Sequence, residues 1–150
     1  MDVEKTAKEC EKMICLRRNI VQRMLNGIGM HPGQPDMLLY VYNHPGCTQR
    51  QVAQHAGVTA ASVAASFKRM ECAGFVRRRT DTADMRCNRV YITETGISHL
   101  SECMKILQDI NKCMFQNLNH EELSSLYNCL AVMNRNLNKF RHENKKEIII

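Results

Sequence analysis

The chain has 150 residues, a formal net charge of +6, eight cysteines and ten methionines. That length holds one domain, or one small lobe with helical extensions, and the basic balance suits a polyanionic partner. No run of about 18 apolar residues occurs, which excludes a membrane-spanning helix; the charged start MDVEKTAKECEKM lacks the apolar stretch of a secretory signal, so the chain is expected in the cytoplasm with its thiols reduced.

Taken in order, Val3, Ala7, Cys10, Ile14, Val21, Met24 and Ile28 recur at three- and four-residue spacing, which predicts a long first helix with one apolar stripe. Gly27 and Gly29 loosen it and HPGQP stops it. A second helix is expected to start within residues 32–36, with Met37, Leu38, Leu39, Val41 and Tyr42 largely buried, and to end at Pro45 and Gly46. Thr48 and Gln51 form the T-x-x-Q pattern of a capping box, so a third helix begins there and closes at Gly57, a position suited to positive φ. Thr59 caps a fourth helix that ends at Gly74. Two strands follow, Phe75–Arg79 and Arg89–Thr93, joined by the polar loop TDTADMRCN.

Thr93 caps a fifth helix with Ile97, Leu100, Met104, Leu107, Met114 and Leu118 in the same rhythm. Asn119 with Glu122 opens a sixth, striped by Leu123, Leu126, Leu130, Met133, Leu137 and Phe140. The expected fold is mainly α with a small β-hairpin: four helices, a strand–wing–strand hairpin and two more helices. The chain is read as a single unit, 1–150, with a compact lobe at 32–96 that carries the hairpin and a helical dimerisation lobe at 1–30 and 94–142. Stripes on three long helices are too extensive for so small a core to cover, which points to a homodimer of interlocking terminal helices.

Residues 48–96 carry the chemistry. Ala53 sits where two helices approach, Gly57 makes the turn, and Val63 packs back, with Val52, Val58, Phe67 and Met70 in the remaining apolar slots. Together they spell a helix–turn–helix, whose second helix can enter a DNA major groove. Its outward face is expected to be Thr59, Ala60, Ala61, Ser62, Ala65, Ser66 and Arg69, where helix N–H groups attract phosphate, hydroxyls bond bases or phosphates, and alanines meet thymine methyls. Thr48 and Gln49 at the preceding helix start join this set. The hairpin adds Arg77, Arg78, Arg79, Arg86 and Arg89, of which Arg79, Arg86 and Arg89 are assigned to DNA together with Asp84. Strand alternation prevents consecutive arginines from all facing one way. Asp84 can hold Arg86 extended at the wing tip, where a narrow minor groove attracts an arginine.

The turn HPGQ, the run GCTQRQVAQHAGVTAASVAASFKRMECAGFVRR, the D-x-R from Asp84 to Arg86 and the closing ITETG resemble the MarR family of bacterial winged-helix regulators over nearly the whole chain. The resemblance implies a homodimer joined through the first, fifth and sixth helices, recognition of a pseudo-palindromic duplex by the fourth helix, and minor-groove contact by Arg86. It implies a regulator, usually a repressor, released by a small-molecule effector bound between the lobes. One branch of the family senses peroxides through a first-helix cysteine, and Cys15 is similarly placed, although Arg17, Arg18, Asn19 and His31 stand nearby in place of that branch's tyrosines. A thiol sensor at Cys15 is therefore one alternative, and a winged-helix protein-interaction module is another.

His99 and Cys103 share a helix face, but the match to the family's zinc-sensing branch is poor, and the cysteine spacings contain no CxxC pair, so no metal is expected. There is no Gly-rich phosphate loop, no G-x-S-x-G and no H-E-x-x-H. Neither an enzyme nor a cofactor is expected.

Overall fold

A computed structural model describes residues 2–81 and 88–144. These fall into two compact units, one running through Ile110 and one starting at Asn111.

In the first unit, α1 spans Val3–Gly27 and starts on Asp2, whose side chain accepts from the Glu4 amide. Leu25 is its one buried residue. Val3, Ile14 and Met24 on the predicted stripe stay exposed, as does Ile20 beside it. The chain then turns so that Met30 N donates to Leu25 O at 2.9 Å and the Met30 side chain is fully enclosed. Next, α2 covers Gln34–Asn43, with Pro35 in its first turn, where a missing N–H costs nothing. Met37, Leu38 and Val41 are buried as expected and Leu39 is half-buried. Tyr42 is not buried: it lies 49% exposed, in the last turn of the helix, where the chain leaves the core.

Strand β1, Cys47–Thr48, is unexpected. It is followed by α3 (Gln49–Ala56) and α4 (Ala60–Cys72). Strands β2 (Val76–Thr80) and β3 (Asn88–Ile92) lie within one residue of their expected limits, and β3 stops at Ile92 because Thr93 is taken up as a helix cap. The sheet is antiparallel in the order β1-β3-β2, with Cys47 opposite Val90, Arg78 opposite Val90 and Arg77 opposite Tyr91. Val76 and Val90 face the core, which also gathers Leu38, Val41, Val52, Val63, Phe67, Met70, Leu100 and Cys103.

Helix α5 spans Glu94–Met114. Thr93 holds its start: the hydroxyl donates to Gly74 O at 2.6 Å and accepts from Gly96 N at 3.0 Å. Gly96 is required there, because a Cβ would lie 2.1 Å from Phe75 O. The buried side of α5 runs through Leu100, Cys103 and Ile110, while Ile97 and Met104 are exposed.

In the second unit, α6 spans His120–Glu143 and opens with the predicted box: Asn119 Oδ1 accepts from Glu122 N and Glu122 Oε2 accepts from Asn119 N. None of its residues is buried, and Leu123, Leu126, Leu130, Met133, Leu137 and Phe140 are all exposed. No described helix is long and apolar enough to cross a membrane.

Candidate nucleic-acid interface

The α3–α4 pair is built by local chemistry that the residues dictate. Thr48 Oγ1 accepts from Gln51 N at 3.3 Å, and Gln51 Oε1 accepts from Thr48 N at 2.8 Å, so both ends of the capping box are closed. Gly57 stands at φ 65°, a conformation that costs other residues about 1 kcal/mol or more. Thr59 then caps α4 by accepting from Ser62 N, and its hydroxyl lies 2.9 Å from that of Ser62. Val52, Val63, Phe67 and Met70 fill the seam, with Ala53 half-buried against it. Val58 does not: it lies in the short link after Gly57 and is 41% exposed.

This arrangement leaves Ala60, Ala61, Ser62, Ala64, Ala65, Lys68 and Arg69 exposed along α4, with the first-turn amide groups at its open end. Helix N-termini lack intrahelical partners for their N–H groups and favour anions. Lys68 is a second long cation on this helix, missed in the sequence although it stands three residues after Ala65 and four after Ala64.

Ser66 departs from expectation. It is 7% exposed, because it lies three residues after Val63 and four before Met70, both fully buried. Its backbone carbonyl accepts from Gln34 Nε2 at 3.5 Å, and its hydroxyl accepts from Arg69 Nη2 at 3.3 Å. Thr48 and Gln49 are half-buried, with the Thr48 hydroxyl engaged in its cap.

The hairpin arginines divide by strand alternation. Arg77 and Arg79 point to the outer face, where their guanidinium carbons lie 6.0 and 5.7 Å from the Tyr91 ring centre. Arg78 turns inward and sits 3.1 Å from Glu71, an ion pair without hydrogen-bond alignment. Arg89 is drawn into the fold itself: Nε donates to Asp81 Oδ2 at 2.5 Å and Nη1 donates to Gly46 O at 3.3 Å. Arg77 and Tyr91 were absent from the sequence-derived set, although the same alternation that selects Arg79 selects Arg77. Asp84, Arg86 and Cys87 lie outside the described residues.

The thiols differ sharply. Cys15 is exposed on α1 with Arg18 Nη2 at 4.0 Å from its sulfur. Cys103 is fully enclosed, and burial, helped by the Glu102 charge, pushes its thiol pKa up to about 11. Burial also raises Cys47. The neighbouring His99 ring lies against Phe75, tilted by 32° with centroids 4.3 Å apart, and among the described residues no cluster of three metal-ligating side chains occurs.

Comparison with known proteins places this geometry. The model of the MarR family matches residues 28–86. The transcriptional regulator SlyA superposes with a TM-score of 0.73 at 25% identity, covering 89% of this chain and 94% of its own. A MarR transcriptional regulator from Methanosarcina mazei Go1 gives 0.73 at 21% identity, over 91% of this chain and 99% of the other. The transcriptional repressor CouR, solved on a 23-mer DNA duplex, gives 0.74 at 16% identity, over 89% and 98%.

Proposed function

This chain is a MarR-family winged-helix protein, and from that premise we propose that it is a dimeric, sequence-specific DNA-binding regulator, a repressor released by a small-molecule effector. The observation that carries the reading is α4: from Ala60 to Arg69 its exposed residues are small side chains and two cations, and its first turn opens behind the Thr59 cap. Small side chains permit close approach to base edges, and alanine methyls suit thymine. In this reading Ala60, Ala61, Ser62 and Ala65 enter the major groove, while Thr59, Lys68 and Arg69 meet phosphates. Thr48 and Gln49 approach the backbone from the start of α3. Arg79, joined by Arg77, lines the wing, with Asp84 orienting Arg86 into the minor groove. Arg89, tied to Asp81, acts by shaping the hairpin.

Dimerisation is supported by the uncovered stripes. Eight large apolar side chains of α6 and six of α1 are exposed in the single chain, far more than scattered surface residues require. Residues 1–30 and 94–142 would form the pairing lobe and residues 32–96 the DNA-reading lobe.

The test is fluorescence anisotropy with labelled duplexes from a randomised pool. Enrichment of a pseudo-palindrome, with half-sites about one helical turn apart and affinity falling steeply with salt, is expected. No salt-sensitive, sequence-preferring binding would sink the reading, and a stoichiometric protein partner in its place would favour an interaction module.

A thiol-based release has one observation of its own, the exposed Cys15 with a guanidinium beside it. Peroxide-driven loss of DNA binding that disappears in Cys15→Ser would support it; peroxide insensitivity would remove it.

A further inference from the structure

The two buried polar residues of the described core, Gln34 and Ser66, are bonded to each other. They lie far apart in sequence, one in the first turn of α2 and one inside α4. Buried polar groups need partners, and each partner here leads onward. Gln34 Oε1 accepts from His31 N at 2.8 Å, in the turn that follows α1. Gln34 Nε2 reaches the Ser66 carbonyl at 3.5 Å. The Ser66 hydroxyl accepts from Arg69 Nη2 at 3.3 Å, one turn along the same helix.

We propose that Ser66 is a positioning residue which holds the Arg69 guanidinium for a DNA backbone phosphate, and that Gln34 ties this setting to the turn between α1 and α2. The proposal rests on the DNA-binding reading and assigns Ser66 a role different from contact with DNA.

Several features support this. Arg69 is exposed, with four rotatable side-chain bonds, so a free guanidinium would sample many orientations. An acceptor within one turn restricts them before DNA arrives, which lowers the ordering cost on binding. An arginine has five N–H donors, so bonding through one Nη leaves others for a phosphate. Ser66 cannot make that contact itself, being shielded between Val63 and Met70. The carbonyl of Ser66, anchored by Gln34, fixes the rotation of α4 about its own axis at the residue from which Arg69 is steered. Displacement at His31–Gly33 thus has a bonded route to the guanidinium.

The test is a double-mutant cycle on Ser66→Ala and Arg69→Ala, titrating a duplex that the wild-type chain enriches from a random pool. Arg69→Ala is expected to weaken binding about tenfold and to lower the salt slope by about 1. Ser66→Ala is expected to weaken it severalfold, and Arg69→Ala is expected to cost clearly less in that background. Ser66→Thr, which keeps the hydroxyl, is expected to retain most of the affinity. Additive penalties at unchanged melting temperature overturn the relay. Arg69→Ala stands on an exposed position, so unchanged affinity and slope in that variant overturn it whether or not Ser66→Ala folds. A wild-type chain that enriches no duplex overturns the DNA reading first and the relay with it.

Discussion

Arg89 Nε donates to Asp81 Oδ2 at 2.5 Å, while Arg79 stands directly across the ladder from Arg89. The carboxylate thus engages one of two like charges that the ladder sets opposite each other, at the root of the wing. Asp81 is largely shielded and Arg89 partly exposed, so solvent weakens the pair. Asp81→Ala is expected to destabilise the fold by about 1 kcal/mol, read as a lower urea midpoint at constant slope. An unchanged midpoint would show that the pair is energetically neutral.

Gly96 is the tightest backbone contact of the fold's α5 start. A methyl there would meet Phe75 O at 2.1 Å and Ile92 Cγ1 at 2.8 Å, and one of these contacts is main chain, which cannot rotate away. Gly96→Ala should cost about 3 kcal/mol or more. Thermal melting that stays within a few degrees of wild type would mean the corner between β3 and α5 yields more easily than its geometry implies.

Cys103 gives a pH signature. Its folded pKa is raised from 9.0 to about 11, first by burial and then by Glu102. The unfolded chain loses this proton at lower pH than the folded one, so the associated stability is full below pH 9 and falls as pH rises towards 11. Cys103→Ala should flatten the alkaline part of the melting-temperature profile. In the native chain below pH 9, Cys103 and Cys47 should react with a thiol reagent far more slowly than Cys15, Cys72 and Cys129. Equal rates for all of them would contradict the burial.

The α6 stripe can be tested for pairing. Sedimentation should return twice the 17.3 kDa chain mass. Leu130→Asp, at an exposed apolar position near the middle of α6, should shift the protein towards monomer, because a carboxylate desolvated in an apolar seam is costly. A monomeric wild type would remove the dimer from the proposal.

Thr48→Ala removes a side-chain cap and leaves Gln51 without its reciprocal partner. A loss of about 1 kcal/mol is expected, with urea unfolding as the measurement.

Features set by neighbours in the chain were readable from the residues alone. The boxes at Thr48–Gln51 and Asn119–Glu122, the cap at Thr59 and the positive φ of Gly57 each depend on a few consecutive residues, and all stand where expected. Strand β1 was not readable, because two residues carry no alternation and its pairing with Val90 and Arg89 is decided by the distant hairpin. Ser66 misled for a related reason: a serine beside surface alanines looks solvated, whereas its offset from Val63 and Met70 turns it inward. Arg78 and Arg89 looked like free cations because Glu71 and Asp81 reach them only once the strands are paired. The apolar stripes of α1 and α6 were legible, but a stripe says that something covers it without saying what.

Thr48 belongs to two structures at once. It pairs with Arg89 in the ladder and its hydroxyl caps α3. The hairpin and the helix–turn–helix are thus pinned at a shared point, like two arms of a caliper riveted at the hinge. The spacing between the start of α3 and the base of the hairpin is then set by the fold, and residues further along either arm can be exchanged without moving it.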